Sequence, residues 1–318
     1  MWYYIKEMIN TKEIIVVCGP TATGKSDIAN TLADKINGEV VSADSMQIYK
    51  GMDIGTGKIS ERARKVKHWG LDIVEPNQAY SAALFQDYAR DAFKKIASES
   101  KAPILCGGTG FYIRAAIDDY DFPKGEQQDN PIREKYNKIA QSRGAHALWE
   151  ILNEKDKRSA ALIHENNVVR VVRALEIFEE GKSYADQVES LQNIKQKYPA
   201  KFFGLKVDPE ILKIRIDKRV DIMIEAGLVD EVKTLLDQGF KDALTSASAI
   251  GYKEIVECLE GRCSLDEAVE QIKTATKQYA KRQRTWFNKD KRIHWIDYNE
   301  IDFDSAVEEI ILYCDKDQ

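Results

Sequence analysis

The chain has 318 residues, a formal net charge of −5, 43% hydrophobic and 31% charged residues. This is the make-up of an ordinary globular protein of one or two domains, and it excludes disordered, collagenous and disulfide-stapled classes. No apolar run approaches the roughly 20 residues that cross a bilayer, so no membrane partner is expected.

The opening Met-Trp-Tyr-Tyr-Ile-Lys-Glu lacks the basic flank and long apolar core of a secretory signal and reads as a short extension. Ile14–Cys18 is an apolar, β-branched run that predicts a buried strand. It leads into Gly19-Pro20-Thr21-Ala22-Thr23-Gly24-Lys25-Ser26, and residues 27–36 follow as a helix. G-x-x-x-x-G-K-S between a strand and a helix is the spacing of a phosphate-binding loop. Its backbone N–H groups face an anion, Lys25 adds a point charge, and the Ser26 hydroxyl is the candidate Mg²⁺ ligand. Residues 19–26 are therefore expected to bind a di- or triphosphate; the loop leaves the fate of the phosphate open.

A second strand is expected at Glu39-Val40-Val41-Ser42, an amphipathic helix at 81–98, and a third strand at Pro103-Ile104-Leu105-Cys106 ending in Gly107-Gly108-Thr109-Gly110. Strands alternating with helices predict an α/β fold with a parallel sheet flanked by helices. Ligands of such sheets bind beyond the carboxyl ends of the strands. That places Asp44, in Ser42-Ala43-Asp44-Ser45-Met46-Gln47, at the phosphate crevice, as a general base, a metal ligand or a helix N-cap. Thr109 follows two glycines that permit close backbone approach, in a functional position or a plain tight turn. The strand at 103–106 ends in glycines rather than the Asp that holds Mg²⁺ and orients water in a typical ATPase, which favours diphosphate as a leaving group over ATP hydrolysis.

Asp-Asp-Tyr-Asp, Pro123, Gly125, Gln127-Gln128 and Pro131 make 119–131 a loop, and 132–198 shows helical patterns without a strand. A strand returns at 201–207, and Pro209 opens a helix that Gly227 closes. The expected organisation is a discontinuous core, 1–119 and 200–318, interrupted by a helical insertion at 120–199. Arg170 and Arg173 form the basic edge of an amphipathic helix in the insertion. Arg215 and Arg219, four apart, share a helix face; they clamp a phosphate or pair with Asp217, Asp221 or Glu210.

Residues 271–292 carry eight Lys and Arg against Asp290 alone, a local +7 on a remainder of −12. Such a segment is a polyanion site or a solvated helix face. Within it, Lys281-Arg282-Gln283-Arg284-Thr285-Trp286-Phe287-Asn288 interleaves cations with aromatics, which suits a nucleic-acid backbone and an unstacked base; the aromatics equally suit a core. Five cysteines without a C-x-x-C pair read as free thiols in a reducing cytoplasm, and four scattered histidines do not make a zinc site.

These motifs resemble the tRNA isopentenyltransferase (tRNA dimethylallyltransferase) family. The matching stretches are 19–26, Ser-Ala-Asp-Ser-Met-Gln-Ile-Tyr-Lys-Gly-Met-Asp-Ile-Gly-Thr-Gly-Lys (42–58), Gly-Gly-Thr-Gly-Phe-Tyr (107–112), Arg-Ala-Leu-Glu-Ile-Phe (173–178), Ile-Gly-Tyr-Lys-Glu (250–254) and Lys-Arg-Gln-Arg-Thr-Trp-Phe (281–287). They are collinear over nearly the whole chain after residue 13. Departures are Asp156-Lys157 for the usual Asp-Pro, His164-Glu165-Asn166 for His-Pro-Asn, and Asn288 for a common Arg. The resemblance implies a P-loop NTPase-like fold with an inserted tRNA-binding domain. It implies Mg²⁺-dependent transfer of a dimethylallyl group from dimethylallyl diphosphate to the exocyclic amine of the adenosine 3′-adjacent to the anticodon, in tRNAs reading codons that begin with U. Asp44, Thr109, Arg215 and Arg219 are the implied catalytic residues. The anticodon stem-loop would meet Asp44, Ser45, Met46, Gln47, Thr109, Arg133, Arg170, Arg173, Gly251, Tyr252, Lys253, Lys281, Arg282, Gln283, Arg284 and Trp286. A monomer in the cytoplasm is expected. The competing reading is a small-molecule or nucleotide kinase on the same loop, which leaves the +7 segment without a purpose.

Overall fold

The computed structural model describes residues 13–120, 122, 130–192, 194–240, 243 and 245–315. The N-terminal extension and most of the loop expected at 119–131 lie outside the described residues. The chain divides into two compact units, one of residues 1–117 with 197–318, the other of 118–196.

The larger unit is built on a six-stranded sheet ordered β3-β2-β4-β1-β5-β6. The strands are β1 Ile14–Cys18, β2 Gly38–Ser42, β3 His68–Trp69, β4 Ala102–Gly107, β5 Ala200–Lys206 and β6 Ile293–Asp297, all paired in parallel. The expected strands are present; β3 and β6 are additions to them. A strand covered on both faces has no polar side, which explains the unbroken run Ile-Ile-Val-Val-Cys. Ile15 and Val17 join one apolar cluster with Ile28 and Leu32 of the helix Lys25–Lys35 and Val307 and Ile310 of the helix Phe303–Asp315. Ile14, Val16 and Cys18 join the other with Phe85 and Phe93 of Ala82–Ser98 and Ile113 of Gly110–Ile117.

The connection after β1 runs toward the β3 edge, and the one after β4 crosses back toward β6. The paths diverge at the β1–β4 pair, so a crevice opens beyond the carboxyl ends of these strands. A third cluster in this unit, around Tyr49, Met52, Val232, Phe240, Tyr252 and Ile272, joins the segment after β2 to the helices Pro209–Glu225, Leu228–Asp237, Tyr252–Leu259 and Leu265–Phe287. The smaller unit is helical, with Pro131–Lys155 packed on Val168–Glu179 around Tyr136, Leu148, Leu152, Val171 and Leu175.

Candidate active site

The phosphate-binding loop fills the turn from β1 into the helix Lys25–Lys35. Ala22 sits at a φ of 63°, a left-handed conformation a residue with a Cβ avoids unless its surroundings impose it. Its neighbours Val207, Leu212, Ile216 and Ala280 form the apolar seat that does so. Thr23 is buried, and its Oγ1 donates to the Pro20 carbonyl at 2.9 Å, while Lys25 Nζ donates to the same oxygen at 3.0 Å. Removal from water, aided by the Arg219 charge, pushes the Lys25 ammonium below its usual range, against the pull of Asp44. A bound anion relieves that burial penalty.

Lys25, Ser26, Thr21, Asp44, Gln47 and Arg219 line one crevice, together with Thr56, Gly57, His68 and Cys106. Asp44 stands past β2, where its Oδ1 accepts from the Met46 N–H at 2.9 Å. This Asx turn fixes the side chain without neutralising it. Thr109 stands past β4. Its Oγ1 accepts from the Ser45 N–H at 3.1 Å and lies 3.3 Å from Ser45 Oγ, so the two strand ends are tied together. Gly107 makes the tie feasible, because a Cβ there would collide with the Ala43 carbonyl. Cys106 Sγ faces the Lys25 carbonyl at 3.5 Å, and burial pushes its thiol up to about 12. It is a neutral wall of the crevice at physiological pH rather than a nucleophile.

Of the two arginines expected to hold phosphate, the structure brings Arg219 into the crevice. Burial lowers its pKa, partly offset by Asp44 and Asp27. Arg215 lies over the Tyr298 ring, 5.7 Å from its centroid, outside the crevice lining. The carboxylates offered as alternative partners are taken by lysines: Asp217 by Lys277 at 2.6 Å, Asp221 by Lys273 at 2.8 Å and Glu210 by Lys213 at 2.8 Å. A second cavity of about 350 Å³ shares Thr21, Asp44, Thr56 and Arg219 with the crevice and adds Met46, Val220, Met223, Ile250, Gly251, Thr276, Tyr279 and Arg282. The added wall is largely apolar, and it leads to the same carboxylate. The Tyr279 pKa is pushed up to about 12 by burial and then by the Asp44 charge, so the hydroxyl keeps its proton beside Thr109 and Gln283.

The remaining candidates for RNA contact are placed unevenly. Lys281 and Arg284 form no ion pair among the described residues, and Trp286 is 42% exposed. Arg170 is exposed on its helix. Arg133 and Arg173 both reach Glu176, which is 1% exposed, Arg133 at 2.6 and 3.1 Å and Arg173 at 3.0 Å. Lys253 is half-exposed beside Glu254, whose carboxylate accepts the Gly251 N–H at 2.8 Å. Tyr252 is fully buried, its hydroxyl donating to Glu231 at 2.6 Å. Gln283 is also inward. Its Oε1 accepts from the Thr21 N–H and its Nε2 donates to the Gly108 carbonyl, both at 2.9 Å. The amide therefore clamps the phosphate loop to the end of β4. Tyr279, His68 and Glu231 carry no motif that points to them, and Thr56 lies in the 42–58 stretch without being singled out there. Helical phase alone signals Tyr279, since Ile272, Thr276, Tyr279 and Gln283 recur at spacings of four, three and four.

A loop of phosphate-binding sequence at the divergence point of a parallel sheet, facing one carboxylate and one half-buried arginine, suits an enzyme of the P-loop class that handles a phosphate ester. The chain belongs to the IPP transferase family: that family's model matches residues 47–290, and an isopentenyl transferase model matches 12–68. It is 46% identical over 303 residues to the tRNA dimethylallyltransferase of Carboxydothermus hydrogenoformans, spanning 95% of this chain and 97% of that one. With the Geobacillus thermodenitrificans tRNA dimethylallyltransferase it shares 44% identity over 306 residues, 95% and 96% of the two chains. Among solved structures it is similar to a tRNA delta(2)-isopentenylpyrophosphate transferase of Staphylococcus epidermidis, with a TM-score of 0.71, 37% identity and coverage of 96% and 100%. It is also similar to a eukaryotic dimethylallyltransferase acting on tRNA, with a TM-score of 0.75, 31% identity and coverage of 90% and 74%.

Proposed function

We propose that this chain transfers the dimethylallyl group of dimethylallyl diphosphate to the exocyclic amine of the adenosine 3′ to the anticodon of tRNA. The observation that carries this reading is the convergence of Lys25, Ser26, Asp44 and Arg219 on one crevice, with β4 ending in glycine rather than an acid. The amine nitrogen attacks the dimethylallyl C1, the C1–O bond breaks, and its electron pair leaves on the diphosphate. Asp44 accepts the proton the amine sheds. Lys25, the loop N–H groups and Arg219 hold the charge that develops on the leaving group. Thr109 fixes the segment that carries Asp44.

Among the described residues no three His, Cys, Asp or Glu side chains gather to cage a metal. The oxygens of Ser26 and Asp44 on one crevice suit Mg²⁺, which keeps its waters and takes other ligands from substrate phosphates. Bound there, Mg²⁺ supplies charge neutralisation on the diphosphate. The adenosine must leave its stack to reach Asp44, and the second cavity beside Asp44 offers it room. Lys281, Arg282, Arg284 and Trp286, with Arg170 in the helical insertion, hold the anticodon stem-loop through phosphate and stacking contacts. No helix among the described residues is long and apolar enough to cross a membrane. A tRNA substrate supports a reaction in the cytoplasm.

The test is incubation of unmodified tRNA with dimethylallyl diphosphate and Mg²⁺, followed by analysis of the nucleosides. Prenylated adenosine is expected for the wild type. Asp44→Asn keeps the shape and removes the base, and its turnover falls about 10²–10⁴-fold. Near-normal turnover of Asp44→Asn with both substrates saturating overturns the assignment of the base.

A further inference from the structure

Glu231, on the helix Leu228–Asp237, holds more of the main chain than any residue of the crevice itself. Its Oε2 accepts from the N–H groups of Asp53 at 3.1 Å and Ile54 at 2.8 Å. Its Oε1 accepts from the Gly55 N–H at 3.2 Å and the Tyr252 hydroxyl at 2.6 Å. Three successive amides on one carboxylate fix a loop as firmly as a bound anion would, and charged acceptors make the stronger hydrogen bonds. The far end of that loop is fixed separately. Lys58 is 3% exposed, and its ammonium lies between Asp53 and Asp72, each at 2.5 Å, and donates to the Tyr49 carbonyl at 2.9 Å.

What lies between the two anchors is the seat of Arg219. The Thr56 carbonyl accepts from Arg219 Nη2 at 3.3 Å and from Gln47 Nε2 at 3.3 Å. Gly57 has a φ of +58° and lies so close that a Cβ would collide with the Arg219 guanidinium. Arg219 makes no hydrogen bond or ion pair with Glu231 or Tyr252, and donates instead to the Thr56 carbonyl. It is aimed into the crevice by a loop whose backbone they hold.

We infer that Glu231 and Tyr252 are positioning residues for Arg219, setting the grip on the substrate diphosphate through the Asp53–Gly57 loop rather than touching substrate or RNA. The inference rests on the function proposed above. It reassigns Tyr252 from the RNA surface to the diphosphate side of the reaction.

The experiment measures binding of inorganic diphosphate with Mg²⁺ by calorimetry to the full chain, in a cycle of wild type, Glu231→Gln, Arg219→Ala and the double variant. Glu231→Gln turns one acceptor oxygen into a donor facing donors, so the dissociation constant rises about tenfold. Because Glu231 acts through Arg219, the double variant binds no worse than Arg219→Ala. A general loss of structure instead adds to the arginine loss, and additivity overturns the inference. Two variants guard against misfolding. Gly57→Ala leaves Glu231 intact, displaces Arg219 and weakens diphosphate binding to a similar degree. Tyr252→Phe removes a single hydrogen bond and raises the Michaelis constant for dimethylallyl diphosphate severalfold, with that for tRNA unchanged. A tRNA-side effect of Tyr252→Phe overturns the reassignment. Lys233→Ala, on the exposed side of the Glu231 helix, leaves binding unchanged. A wild type that does not bind diphosphate overturns the proposed function and this inference together. A wild type that binds it through Arg219 but is indifferent to Glu231→Gln overturns the inference alone.

Discussion

His68 is a small instance of chemistry set by surroundings. Its Nε2 lies 3.2 Å from Asn30 Oδ1, an oxygen that already accepts from the Lys65 N–H. The ring must therefore donate there. Burial, then the Arg64 charge, lowers its pKa from 6.5 to about 4. Below pH 6.5 the unfolded chain takes up a proton that the folded chain refuses until about pH 4. The stability present above pH 6.5 is thus lost as the pH falls through this window. Urea unfolding at pH 7 and pH 5 should show wild type losing roughly 1 kcal/mol more than His68→Gln, after discounting for solvent at this partly exposed ring. Parallel losses refute the assignment. At this scale the sequence is explicit where a side chain has one possible task, as for Lys25, and it places Asp44 at the crevice while leaving base, metal ligand and N-cap open. It is silent on direction. Gln283 and Tyr252 lie in motifs that also hold surface cations, and only the fold shows that one clamps Thr21 and the other holds Glu231.

The helix Leu265–Phe287 carries two kinds of positive charge that look alike in sequence. Lys273 and Lys277 are spent on Asp221 and Asp217 of the helix Pro209–Glu225. Lys281 and Arg284 form no such pair among the described residues, and Arg282 reaches the second cavity. Neutralising Lys281, Arg282 and Arg284 should weaken tRNA binding and flatten its dependence on log salt by roughly one unit for each phosphate left without its cation. Neutralising Lys273 and Lys277 should leave that slope intact and lower the melting temperature, because two carboxylates lose their partners. Titrations of tRNA at several salt concentrations separate the two sets; equal effects on the slope would mean that the whole +7 segment faces RNA. The elements themselves are legible where an apolar run is unbroken, as in β1, or where apolar periodicity is long, as in Ala82–Ser98. β3 has two residues, and β6 mixes His294 and Trp295 with its two isoleucines. Neither offers a pattern that competes with the loops and basic run around it; both become strands because a neighbouring strand edge is there to pair with.

Across the molecule, the larger unit closes over the break in its sequence. The Lys197 N–H donates to the Ile117 carbonyl at 2.9 Å, so the chain departs and returns at adjacent points. Joining these two points by a short glycine linker in place of 118–196 should leave a core that melts cooperatively and binds diphosphate like the full chain. Its affinity for tRNA should fall at least about tenfold, because cations that neutralise phosphates, Arg170 among them, go with the insertion. Failure of this variant to bind diphosphate would show that the core does not fold without the insertion. The same arrangement shapes how the protein is made. β1 is central, paired on one edge with β4 and on the other with β5, in a register that sets Ile14 against Ala200. A ribosome delivers the first partner early and the second only after the whole of 118–196 has been translated. Through that interval one side of an apolar strand stands open, able to pair with a neighbouring nascent chain. The hazard peaks on messages stalled or broken just short of Ala200, and chaperones that shield strand edges are most needed there.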